Sequence, residues 1–232
     1  MGLLYAMLAG LSTILSGLLP FISSVRLRFG RYMIGFASGV VISAALLEMI
    51  PKGNMHDNAP FALLGFFTFY LLEKIAMVHT CAEGECVASG MTWVSLIGIS
   101  ADNFIDGLAI VAGYALDPLL GFMIFLAVVA HEIPQGAATT VVMKNSKYST
   151  GKTLSTLGIG ALLYPLGALS FGMLPAAYHE TIIAFMAGEF MFIGAGELLP
   201  EAHQKYNIGV VLSVILGAGL TTILEWLMGS AH

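Results

Sequence analysis

The sequence is a succession of apolar runs long enough to cross a lipid bilayer, separated by short breaks, and this pattern excludes most other folds. A spanning helix needs about 20 mostly apolar residues. Runs of that length fall at about 2–22, 31–51, 60–78, 92–115, 118–142, 153–173, 181–199 and 207–228. Pro51, Pro60, Pro118 and Pro175 lie at the proposed boundaries, and Gly30, Gly53 and Gly151 lie in the breaks, as expected of helix stops and loop residues. Eight spans use most of the 232 residues, so no separate soluble domain has room, and residues 1–232 read as one transmembrane domain. Only 10% of the residues are charged, against about 25% in soluble domains. The first run has no preceding basic flank and no small-residue cleavage pattern, so it reads as a retained helix and not as a signal peptide. Nine Lys+Arg and a net charge of -5 give no basic footprint for nucleic acid. Two cysteines cannot build a disulfide scaffold.

The basic residues orient the spans, because Lys and Arg collect in cytoplasmic loops. Arg26, Arg28 and Arg31 follow the first run, Lys74 ends the third, Lys144, Lys147 and Lys152 join the fifth to the sixth, and Lys205 joins the seventh to the eighth. Lys52 alone falls on the other side. This sorting predicts an all-α integral membrane protein of eight helices with both termini extracytoplasmic. The longest cytoplasmic loop, at about 79–91, holds His79, Cys81, Glu83, Glu85 and Cys86, a cluster able to catch a soft metal transiently. Its spacing does not suit a structural zinc knuckle.

An internal repeat is also visible. Phe36, Gly39, Glu48 and Pro51 match Phe185, Gly188, Glu197 and Pro200 at one constant offset. A weaker echo aligns Asp102, Asn103, Asp106 and Gly107 with His131, Glu132, Gln135 and Gly136. In the assigned topology the paired helices run in opposite directions, so helices 1–3 relate to 6–8 and helix 4 to helix 5 as inverted repeats. Many secondary transporters build alternating access this way around a midplane site.

Ionisable side chains in mid-span cost at least about 2.5–3.5 kcal/mol each and mark function. Helix 4 carries Asp102, Asn103 and Asp106 and helix 5 carries His131, Glu132 and Gln135, each set about halfway along its span. The i, i+4 spacing puts Asp102 with Asp106, and His131 with Gln135, on single faces, while Asn103 and Glu132 point about 100° away. No Lys or Arg lies in the middle of any span to neutralise the acids. They therefore take up protons, join neighbouring helices by hydrogen bonds, or bind a cation that travels. Three acids, a histidine and two carboxamides at one depth exceed what packing requires. Oxygen and imidazole donors together suit divalent transition ions such as Zn²⁺, Fe²⁺ or Mn²⁺. Pro134 removes a backbone hydrogen bond beside His131 and frees carbonyls there as weak oxygen ligands.

These residues resemble the ZIP (Zrt-, Irt-like protein) family of divalent-metal transporters over nearly the whole chain. The carriers of the resemblance are Asp102-Asn103-Phe104-Ile105-Asp106-Gly107 in helix 4, His131-Glu132-Ile133-Pro134-Gln135-Gly136 in helix 5, and Gly188 through Glu197-Leu198-Leu199-Pro200-Glu201 in helix 7. The resemblance implies eight spans, outside termini, and a metal site on helices 4 and 5 feeding the cytoplasm. Two departures stand out. Asp102 replaces the usual helix 4 histidine, and Gln135 with Gly136 replaces a helix 5 pair that often ligates metal. The implied arrangement is one principal site of Asp102, Asp106, His131 and Gln135, with a weak or absent second site at Asn103 and Glu132. Carboxylate in place of imidazole makes the site harder and more oxygen-rich, which loosens selectivity for zinc; Co²⁺ and Cd²⁺ stand with Fe²⁺ and Mn²⁺ as further candidate substrates.

Glu48 near the outer end of helix 2, and Glu197, Glu201 and His203 near the inner end of helix 7, are candidate entrance and exit stations. Deeper Glu189 is a candidate path-lining or proton-accepting group. Glu73 and Glu225 read as interfacial, and His56 and Asp57 as a solvated outer loop. The expected partners are metal ions and the bilayer, with a homodimer as a candidate assembly, in the plasma membrane. A proton-coupled carrier of another solute is the alternative. An intramembrane metalloenzyme fits less well, since Gln135 stands where His-Glu-x-x-His needs its second histidine.

Overall fold

The computed structural model describes residues 1–22, 30–80 and 93–229, the side chains of 76–80, 93–95 and 229 excepted. Arg26, Arg28, Cys81, Glu83, Glu85 and Cys86 lie outside the described residues, as does the side chain of His79.

Every element among the described residues is helical. The long helices are α1 (Gly2–Ile22), α2 (Gly30–Lys52), α3 (Met55–Thr80), α4 (Trp93–Leu116), α5 (Pro118–Asn145), α6 (Thr150–Ser170), α7 (Ala176–Ala202) and α8 (Ile208–Gly229). All but α3 are long and apolar enough, by the stretches described, to cross a membrane. The chain is a multi-pass integral membrane protein, and its outward surface carries a belt of large apolar side chains. Ile159, Leu162, Leu216 and Ile223 are each more than half exposed, which suits a lipid solvent.

Local chemistry explains the breaks. Asp117 accepts a hydrogen bond from the Leu119 N–H at 2.7 Å, and Pro118 takes the first position of α5, where its missing donor costs nothing. Ser149 caps α6 through the Lys152 N–H. Two boundaries differ from the sequence expectation. α3 begins at Met55, placing Pro60 inside the helix, because Asn54 at φ 47° starts it early and Asp57 in its first turn complements the helix dipole. α7 begins its regular part at His179 after a 3₁₀ turn at Ala176–Tyr178.

Both α2 and α7 contain a π-helical segment, at Ala44–Met49 and Phe192–Leu198. The Ile50 N–H bonds to the Ala45 carbonyl and the Leu199 N–H to the Gly194 carbonyl, each five residues back. These bonds occupy the same places in the two halves of the Phe36/Phe185 offset.

Packing divides the chain into two bundles. α1, α4, α5 and α6 pack on one another, α2 packs on α8, and α3 packs on α7, while the π segments join α2 to α7. Exchanging 1, 2, 3 and 4 with 6, 7, 8 and 5 leaves these principal pairings unchanged. Backbones meet closely at two equivalent crossings. A Cβ at Gly39 would fall on the Val214 carbonyl of α8, and one at Gly188 on the Ala62 carbonyl of α3, so only glycine fits.

Candidate metal centre

α4 and α5 bring the sequence-predicted residues together between the two bundles. Asp102 is 6% exposed, Glu132 1%, and Asn103, Asp106 and His131 are completely buried. Ligand atoms of Asp102, Asp106 and His131 lie within 4.8 Å of one another. An ion centred among donors at that limit would stand about 2.8 Å from each, and metal–ligand bonds of about 2.0–2.2 Å need a small contraction. The His131 Nε2–Asp106 Oδ2 separation is already 3.2 Å, close to the edge of a coordination tetrahedron.

Three features orient this group. His131 Nδ1 lies 3.1 Å from the Ala127 carbonyl one turn back; a carbonyl only accepts, so Nδ1 carries a hydrogen, and Nε2 faces Asp106. The ring of Phe190 meets the His131 ring edge to face at 5.9 Å. Gln135 donates to Asp102 Oδ2 at 3.0 Å, so here it orients a carboxylate. The remaining donors stay open. Nε2 of His131, both oxygens of Asp106 and Oδ1 of Asp102 make no hydrogen bond, because the His131–Asp106 approach lacks hydrogen-bond alignment despite its length. Buried polar atoms without partners are uncommon, and a cluster of them facing one another is chemically a cation site.

Asn103 and Glu132 point elsewhere, as the helical spacing predicts. Thr13 of α1 donates to Glu132 Oε2, and Ser16 donates to the Glu132 backbone carbonyl at 3.2 Å. Glu132 Oε1, both amide atoms of Asn103 and the Tyr164 hydroxyl have no partner. Sequence reading missed Thr13, Ser16, Tyr164 and Phe190. Hydroxyls three residues apart on α1, and a tyrosine in mid-span, were the available signals.

The other candidates separate by location. Glu189 of α7 is completely buried and lies within electrostatic reach of Asp102 and Asp106, so it borders the centre. Glu197 lines a cavity of about 190 Å³ with Glu73, Phe192, Asp102 and Gln135, room for about six waters. Glu201 is exposed, and His203 is held by the Leu199 carbonyl at 3.0 Å. Glu48 is buried beneath Lys52, whose ammonium lies 3.4 Å from it and also pairs with Asp117. Burial pulls the Asp117 carboxyl upward, but hydrogen bonds from Lys52 and from the Leu119 and Leu120 N–H groups outweigh it and hold the group below its ordinary range.

The family model described as ZIP zinc transporter matches residues 79–225, which contain α4 through most of α8. The chain belongs to the ZIP family. Among its ZIP relatives, zinc transporter ZIP13 of Pongo abelii is 23% identical over 198 residues, covering 75% of this chain and 59% of that protein. Metal cation symporter ZIP8 of Rattus norvegicus is 30% identical over 129 residues, covering 54% of this chain and 28% of that protein. Uncharacterized protein MJ1036 of Methanocaldococcus jannaschii is 25% identical over 217 residues, covering 87% of both. This ZIP chain thus spans just under three fifths of the length of ZIP13 and about a quarter of that of ZIP8.

Proposed function

We propose that this protein carries a divalent transition-metal cation across the membrane toward the cytoplasm, binding it at mid-membrane through Asp102, Asp106 and His131, with Gln135 as an orienting or auxiliary donor. The observation that carries the reading is the convergence of these three buried side chains with donor atoms free and, among the described residues, no Lys or Arg paired with them. Two carboxylates in low dielectric demand positive charge, and a mobile cation supplies it. Zn²⁺ is the leading substrate, with Fe²⁺, Mn²⁺, Co²⁺ and Cd²⁺ as the other candidates, of which the oxygen-rich donors suit Fe²⁺ and Mn²⁺ best. The printed names of ZIP13 and ZIP8 describe zinc and metal-cation transport by those proteins.

The proposed architecture is one domain of eight spans with both termini outside, in the plasma membrane. It is built as inverted repeats, helices 1–3 with 6–8 and helix 4 with helix 5. The exchangeable packing pairs and the two π segments at one offset support the repeat. Transport then follows from movement of the α1/α4/α5/α6 bundle against the other. Glu48 with Lys52 stands at the outer approach. The cavity reaching from Asp102 and Gln135 to Glu73 and Glu197 supports an inward-facing exit, Glu201 and His203 lying further out. Asn103 and Glu132 form at most a weaker second position, since Thr13 already occupies one Glu132 oxygen.

The test is reconstitution in liposomes, with flux of Zn²⁺, Fe²⁺, Mn²⁺, Co²⁺ and Cd²⁺ compared between the native protein and His131→Ala and Asp106→Ala. Metal-dependent flux lost in both variants is expected. Unchanged flux in both would sink the site, and solute-driven proton movement without metal flux would favour the carrier alternative.

A further inference from the structure

The centre has donors on α4 and α5 only, both in one bundle, yet its opposite wall belongs to the other. α7 packs against α4; it presents Phe190 to the His131 ring, and the next residue, Glu189, lies within electrostatic reach of the two aspartates. Glu189 is completely buried, and neither of its carboxylate oxygens has a hydrogen-bond partner. Packing gives no account of it. Of the deeply buried acids outside the Asp102–Asp106–His131 group, Glu48 has Lys52 and Glu132 has Thr13. A carboxyl group buried beside Asp102 and Asp106 with both oxygens unpartnered has given up its hydrogen bonds to water without replacing them. Such a group is held at a cost, and the ligand that removes the cost is a multivalent cation.

We propose that Glu189 is a metal-ligating carboxylate supplied from the opposite bundle, so that a divalent cation held by Asp102, Asp106 and His131 is also bound to α7. This deepens the proposed function and rests on it. With Glu189 drawn in from outside the 4.8 Å group of Asp102, Asp106 and His131, the coordination set becomes three carboxylates and one imidazole, enough for a closed four-coordinate site. The cation also becomes a link between the two bundles, and movement of one against the other requires Glu189 to release it. The side chain thereby couples occupancy to motion, which a site confined to α4 and α5 would not do.

The test uses the full chain in detergent, with Zn²⁺ affinity by calorimetry and Co²⁺ as a spectroscopic probe. The variants are Glu189→Gln, Glu189→His and Asp106→Asn. Glu189→Gln should weaken binding about tenfold or more, since loss of even an outer partner of a ligand costs about 10–100-fold. It should also change the Co²⁺ ligand-field bands. Glu189→His, which restores a donor, should recover affinity with a spectrum shifted toward nitrogen ligation. Native affinity and an unchanged Co²⁺ spectrum in Glu189→Gln, alongside loss of binding in Asp106→Asn, would overturn this inference alone. Native binding in both variants would overturn the site on α4 and α5, and this inference with it.

Discussion

Replacing Lys52 by Met tests how the outer approach is held together. Lys52 joins two acids: its ammonium is 3.4 Å from Glu48 Oε2 and pairs with Asp117. At 3.4 Å the gross attraction to Glu48 is about 5 kcal/mol at an effective dielectric of about 20. Lys52 is 31% exposed and Glu48 only 3% by side chain. The net value therefore falls between an exposed pair, about 0–1 kcal/mol, and removal of one partner of a buried pair, about 3–5 kcal/mol. A loss of about 2 kcal/mol is expected. For a chain of this size it lowers Tm by about 4–8 °C, read as thermal unfolding of the solubilised protein. Lys52→Arg should retain native stability. Adding Glu48→Gln to Lys52→Met should recover at least half of the loss, because the stranded charge is then gone. A Tm drop under about 1 °C, or no recovery in the double variant, would refute the reasoning.

The same pair gives a pH dependence with a definite sign. Asp117 has its carboxyl held below the ordinary value of 3.8, since the Lys52 and backbone N–H hydrogen bonds outweigh burial. A depressed folded pKa contributes stability that is complete above the unfolded value and disappears as pH falls through the folded one. In a Glu48→Gln background, where Asp117 is the remaining acid paired with Lys52, the stability gap between Lys52 and Lys52→Met should therefore be constant from neutral pH to about pH 5 and narrow below about pH 4. A gap that widened in acid would show that Asp117 is not the partner.

Chelation of bound Zn²⁺ should lower the Tm of the native protein, since a ligand at about 100 times its Kd contributes about 2.7 kcal/mol; in His131→Ala the chelator should change nothing. Thr13→Val leaves the buried Glu132 side chain without its donor and should cost about 1–3 kcal/mol, measured by denaturation of the metal-free protein; an unchanged midpoint would show that Glu132 needs no donor. Gly39→Val and Gly188→Val each drive a side chain into a facing carbonyl and should destabilise similarly, by about 1–3 kcal/mol or more. Tolerance of one and not the other would break the equivalence of the crossings.

The helices were legible because a bilayer imposes a length that apolar runs display directly, and the face of each site residue followed from the i, i+4 rule for Asp102, Asp106 and His131. Contacts between non-neighbouring helices were less legible. Thr13 and Tyr164 read as ordinary residues of apolar helices until α1 and α6 were seen against Glu132 and Asn103. Glu189 had its depth readable from sequence, but its closeness to Asp102 depends on α7 packing against α4, which no spacing within α7 encodes. Gln135 is expected at the metal, and its amide nitrogen lies within hydrogen-bond distance of the Asp102 carboxylate, a contact that no spacing within α5 encodes.

The π segments show how a local rule and the repeat combine. A proline in a helix has no N–H to donate, and its ring collides with the carbonyl four residues back; for Pro51 and Pro200 those carbonyls belong to Leu47 and Gly196. An added residue in the preceding turn shifts the bonding to five residues back, as the Ile50 and Leu199 N–H groups do, and moves the backbone out of the way of the ring. Glu48 and Glu197 lie inside these widened turns, three residues before each proline. The recurring Glu-x-x-Pro is therefore a structural instruction as well as a pair of acids: it sets an irregular turn at matching points of α2 and α7, where the two helices meet. A conserved-geometry substitution tests this reading. Pro51→Ala and Pro200→Ala restore a donor that can rebuild the regular ladder, so each should raise the stability of its helix while slowing metal flux. Flux at the native rate in both would mean that the widened turns are only packing defects.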